Sequence, residues 1–70
     1  MKQITSLEAL QAHIQGKSVL LLGTEWNEKD KAACAIGGQL VTKEDDFQSE
    51  VTNYQLFACM DGEKVRFYLL

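Results

Sequence analysis

Val19-Leu20-Leu21-Leu22 is an unbroken aliphatic run standing just behind Gly16, and it constrains the fold more than any other feature of the chain. A strand with one wet face alternates apolar and polar residues. A run without alternation reads as a strand buried on both faces, and therefore a central one. Such a strand needs a neighbour on each side and cover on its faces. The chain has 70 residues and no proline. That length gives room for a single small domain over 1–70 and one core. A core of this size rarely contributes more than about 3–5 kcal/mol, so a partner, a staple or very regular packing is needed.

Before the run, Thr5-Ser6-Leu7-Glu8 reads as a capping box. Leu7, Leu10 and Ile14 follow at i, i+3 and i+7, and Gly16 is placed to stop the helix. The pattern predicts an amphipathic helix over 5–15 with that leucine–isoleucine stripe against a sheet. His13 lies off the stripe and reads as a surface histidine, with no nucleophile or acid to serve as its catalytic partner. Thr24 to Asp30 is polar apart from Trp26 and must leave the sheet.

The stretch from Glu28 reads two ways, as a helix over 28–36 or as a hairpin loop over Glu28 to Asp30 leading into a strand over Lys31 to Val41. Asn27 or Asp30 as a cap, Ala32, Ala33 and Ala35, and a stop at Gly37-Gly38 make a second short helix. The alternative is a strand whose double glycine marks a bulge. Gln39 to Thr42 reads as a short strand. Lys43 to Glu50 reads as an exposed acidic connection with Phe47 turned inward. Asp61-Gly62 is a favoured two-residue hairpin turn and predicts a C-terminal β-hairpin over 52–70. In that register Tyr54, Leu56, Ala58, Val65, Phe67 and Leu69 share the core face. Phe57, Cys59, Lys64, Arg66 and Tyr68 share the other. The expected class is α+β: an N-terminal helix packed on a mainly antiparallel sheet of three or four strands.

Seven Lys and Arg against ten Asp and Glu give a net charge of −3. Duplex nucleic acid is held by clustered cations, and anionic membranes likewise, so neither is expected as a partner. No signal-like start and no long apolar stretch is present, which points to the cytoplasm. Cys34 and Cys59 have no zinc spacing. Glu44, Asp45, Asp46 and Glu50 lack the alternation and central glycine of a calcium loop. No metal or cofactor is therefore expected, and no nucleophile–base set can be assembled that would make an enzyme.

What remains is surface. Phe57 and Tyr68 beside Lys64 and Arg66 combine residue types that interface centres select, and Trp26 in a loop is a further candidate anchor. Glu44, Asp45, Asp46 and Glu50 form a secondary acidic patch. The expected function is a non-catalytic protein-binding module, an inhibitor or regulator that occludes a surface of a larger partner, as phage and mobile-element inhibitors do. A structural homodimer or complex subunit using the same face is the alternative, and single-stranded nucleic-acid binding by aromatic stacking is a second. Val19 to Leu22 followed by Glu25-Trp26, with Lys31 and Asp61-Gly62-Glu63 beyond, is similar to stretches of thioredoxin. Asn27 and Asp30 stand where that family has its redox cysteines, and the stretch after Trp26 is too short for that family, so the resemblance implies no redox function.

Overall fold

The computed structural model describes residues 1–23, 37–59 and 63–70. Among them, four strands form one antiparallel sheet: β1 (Lys2–Ile4), β2 (Val19–Leu22), β3 (Gln39–Val41) and β4 (Arg66–Leu69), in the order β1-β4-β2-β3. Two helices accompany them, α1 (Ser6–Ile14) and α2 (Phe47–Phe57). The class is α+β, as expected. No helix among the described residues is long and apolar enough to cross a membrane.

β1 and β2 both pair antiparallel with β4, so they run parallel to one another with β4 between them. β3 pairs antiparallel with β2, so β3 and β4 are parallel with β2 between them. Each pair is joined through a helix, making two split β-α-β units. Each unit inserts one strand into the gap of the other.

β2 is central, and Val19, Leu21 and Leu22 are buried. Ile4, Val19, Leu21, Val41 and Phe67 project from one face into a core closed by Ala9 and Ala12 of α1 and Phe47 and Tyr54 of α2. The opposite face carries Leu22 and Tyr68, both buried, with Leu20 half-buried beside them. β1 has no sequence signal beyond Ile4. Its position comes from long-range pairing with β4, Ile4 opposite Phe67 and Lys2 opposite Leu69.

The start of α1 matches its sequence. The Glu8 amide donates to Thr5 Oγ1 at 3.1 Å and the Thr5 amide donates to Glu8 Oε1 at 3.0 Å. Gly16 follows with φ +83°, where a side chain would be strained. The buried face of α1 differs from expectation. Leu7 (63% exposed), Leu10 (41%) and Ile14 (74%) point to solvent, while Ala9 and Ala12 face the sheet. Only Thr5 separates α1 from β1, so the buried Ile4 sets the rotation of the helix. At about 100° per residue, the centre of the Leu7/Leu10/Ile14 stripe then lies roughly opposite the Ala9/Ala12 face. Alanines inward also let the helix axis approach the sheet closely.

The hairpin over 52–70 is not formed. Residues 47–57 are helical, and β4 pairs with β1 and β2 instead. The helix is specified locally: Asp46 Oδ1 accepts from the Ser49 amide at 3.2 Å as an N-cap, and Phe47, Val51 and Tyr54 recur at i, i+4 and i+7 toward the core. The alternation expected for β4 itself holds, with Phe67 toward the helices and Tyr68 away. Trp26, the segment 28–36, Cys34 and the Asp61-Gly62 turn lie outside the described residues.

Candidate binding surface

The ends of the elements place the surface. β1 ends, β2 ends and β4 begins at one end of the sheet, because Ile4 pairs with Phe67 and Leu22 with Arg66. The start of α1 and the end of α2 therefore lie at that same end. A groove of about 450 Å³ opens there. Val51, Thr52, Gln55 and Leu56 of α2 form one wall, and Lys64, Val65 and Phe67 the other.

Gln55 holds the two walls together. Its Nε2 donates to the Glu63 carbonyl at 2.9 Å, and its Oε1 accepts the Val65 amide at 3.2 Å. A side-chain amide here reproduces the donor–acceptor pair of a neighbouring strand. Among the described residues lining the groove, Lys64 alone is charged. Leu56, in the α2 wall, is 68% exposed, and Phe57, the next residue, 84%.

A second set of bonds ties α2 to the end of β2. The Tyr54 hydroxyl accepts from the Gly23 amide at 2.9 Å and donates to the Gly37 carbonyl at 2.9 Å. Arg66 Nη1 donates to the Gly23 carbonyl at 2.9 Å. A Cβ on Gly23 would meet Cys59 Sγ and Glu63 Oε2, each at 3.3 Å, so glycine permits this close approach. Burial pushes the Tyr54 phenol above its ordinary value, against the bond from Gly23, and Cys59 and Glu63 add to the rise. Burial also pushes the Cys59 thiol up, helped by Glu63. Cys59, a free thiol, is therefore held protonated rather than activated as a nucleophile.

His13 is half-buried rather than a surface residue. Its Nε2 lies 3.1 Å from the Thr42 carbonyl and 2.9 Å from the Asp45 carbonyl, and its ring tilts on Phe47 at 5.4 Å between centroids. Carbonyl oxygens only accept, so Nε2 carries a proton shared between them. His13 thus fastens α1 to the loop before α2. Of the acidic set, Glu44 and Asp45 belong to that same loop. Asp45 Oδ2 accepts from the Thr42 amide at 2.8 Å and lies 3.1 Å from Thr42 Oγ1, with Glu44 Oε2 at 3.2 Å from the same hydroxyl. Asp46 caps α2 and Glu50 sits in its first turn.

The residues expected to form one interface are thus dispersed. Phe57 is on α2, Lys64 borders the groove, Arg66 anchors Gly23, and Tyr68 is 2% exposed. The shared sheet face on which aromatic stacking or self-association was expected is not assembled. The exposed apolar surface lies instead at Leu7, Leu10 and Ile14 of α1 and at Leu56 and Phe57 of α2, with Met1, Leu40 and Leu70 exposed elsewhere. One sequence signal pointed to it: Ala9 and Ala12 at i, i+3 form a small-residue face suited to close packing. In comparisons with known proteins, no family model, no curated protein and no solved structure matches this chain.

Proposed function

We propose that the chain is a non-catalytic protein-binding module that works by covering a surface of a protein partner, in the manner of an inhibitor or regulator. The observation that carries this reading is the outward placement of Leu7, Leu10 and Ile14 on α1 and of Leu56 and Phe57 on α2. A helix that turns Leu7, Leu10 and Ile14 to water, and Ala9 and Ala12 inward, offers exposed apolar surface of the kind that marks interaction sites. The groove walled by Leu56 adds concavity on one flank of α2, and Phe57 offers a rigid aromatic on the other, beside Gln39, Glu50 and Asn53. The titratable side chains at the same end support binding rather than turnover. The Tyr54 hydroxyl and the Arg66 guanidinium hold backbone groups, and the Cys59 thiol is kept protonated.

The test is site-specific photo-crosslinking inside cells that express the chain. A crosslinker at Leu56 or Ile14 is expected to trap a discrete partner, and one at Lys43, on the acidic loop, to trap none. Trapping should disappear in a chain that also carries Leu7→Asp. Equal trapping from all three positions, or trapping indifferent to Leu7→Asp, overturns the reading.

A further inference from the structure

We infer that the pocket between α2 and the start of β3 receives an arginine side chain of the protein partner, with its stem laid on Phe57 and its guanidinium at Glu50. The inference rests on the binding-module reading and names one group that the partner brings. The pocket measures about 210 Å³, and Gln39, Glu50, Asn53, Tyr54, Phe57 and Ala58 line it. It is less than half the size of the groove on the other flank of α2 and suits one long side chain rather than a helix. Glu50, Asn53, Tyr54 and Phe57 recur at i, i+3, i+4 and i+7, so α2 turns all four to one side.

Glu50 stands apart from the other acidic residues near it. Glu44 and Asp45 contact Thr42, and Asp46 caps α2. The Glu50 carboxylate is half-buried and makes no bond among the described residues. A carboxylate partly withdrawn from water gains most from a cationic donor. Among the described residues lining the pocket, Glu50 alone is charged. Its neighbours add acceptors. The Asn53 side chain makes no bond among the described residues. Gln39 donates through Nε2 to the Leu40 carbonyl at 3.3 Å, and its Oε1 accepts from none of the described residues. The Tyr54 hydroxyl is already engaged by Gly23 and Gly37, so Tyr54 offers its ring.

Phe57, 84% exposed, supplies the apolar part. It lies about 10.5 Å along the helix axis from Glu50. A small cation cannot touch both. A side chain whose methylene stem lies on the ring while its charged head reaches the carboxylate can. Arginine suits the head better than lysine. Its planar fork can pair with a carboxylate and still offer N–H groups to the amide carbonyls, and it gives up less hydration than an ammonium. The net charge of −3 favours the approach of a basic surface.

Titration of the isotope-labelled chain with the peptide acetyl-Gly-Arg-Gly-amide, followed in amide NMR spectra, tests this. The Asn53 side-chain amide and the Glu50 and Phe57 backbone amides are expected to shift and to saturate at millimolar peptide. Intermolecular NOEs are expected from the arginine methylenes to the Phe57 ring. The lysine peptide should bind several-fold more weakly. The citrulline peptide, of the same shape without the charge, should bind about tenfold more weakly or less still. Glu50→Gln should cost about the same factor, and Phe57→Ser several-fold, with far-ultraviolet circular dichroism unchanged in both. Added salt should weaken the arginine peptide and leave the citrulline peptide unaffected. No saturable shift, a lysine or citrulline peptide that binds as well as the arginine one, or binding indifferent to Glu50→Gln overturns the inference. The crosslinker at Leu56 separates it from the reading beneath it. Trapping that survives Glu50→Gln unchanged defeats the arginine pocket alone; a wild type that traps nothing defeats the binding reading too.

Discussion

The Tyr54 hydroxyl joins three separated parts of the chain: α2, the end of β2 at Gly23 and the backbone at Gly37. Removing it leaves the buried Gly23 amide without that acceptor, and an orphaned buried amide costs about 1–3 kcal/mol. Tyr54→Phe is expected to lower the midpoint of urea unfolding accordingly, with its slope unchanged. Glu8 supplies a pH signature. Its bonds to Thr5 hold its carboxyl below the usual carboxylate range. A depressed acid stabilises the fold fully above its unfolded value, near 4.3 for glutamate, and that contribution is lost as pH falls through the lower folded value. Glu8→Gln keeps the capping geometry but has nothing to titrate. Thermal midpoints collected from neutral pH down to pH 3 should therefore fall less steeply for the variant than for wild type. Thr5, Glu8 and Gly16 were legible because their partners are neighbours. His13 was not, because the carbonyls it serves are 29 and 32 positions away.

Helix α1 was legible in extent and illegible in rotation. Periodicity fixes which residues share a face; it does not say which face turns inward when one stripe is large and the opposite one is alanine. The one-residue connection at Thr5 decides that, and it acts through tertiary geometry. Two substitutions separate the orientations. Ala9→Leu forces extra methyl groups against the sheet and is expected to cost about 1–3 kcal/mol or more. Leu7→Lys, on the outer face, should change stability by less than about 0.5 kcal/mol. Chemical denaturation of both variants checks this, and the reverse order would place the leucine stripe in the core. α2 failed differently. Asp46, Phe47, Val51 and Tyr54 carried a complete helix pattern, but the Asp61-Gly62 turn signal was read as claiming the same residues for a hairpin. A turn dipeptide is local evidence, and the strand that follows it was free to pair elsewhere. The candidate surface was hidden by both errors together, since Leu7, Leu10 and Leu56 were all assigned to a core.

At the scale of the whole molecule, β2 and β4 hold the sheet, and each serves the split unit of the other. Among the described strands, β4 alone is bonded to both β1 and β2. A chain ending at Val65 therefore loses two of the three strand pairings among the described residues, and the buried Phe67 and Tyr68. It is expected to show no cooperative thermal transition by circular dichroism, and collapsed amide dispersion in its NMR spectrum. The same arrangement imposes a schedule on biosynthesis. β1, α1 and β2 leave the ribosome first, yet β1 cannot find its place until the segment from 66 to 69 has emerged to lie beside it. At roughly 5–20 residues per second, that wait is on the order of seconds. Through it the Val19–Leu22 run stands without β4, a short apolar strand open along one edge, of the sort that chaperones engage. β4 is thus the piece that brings β1 and β2 into one sheet, since it bonds both of them at once.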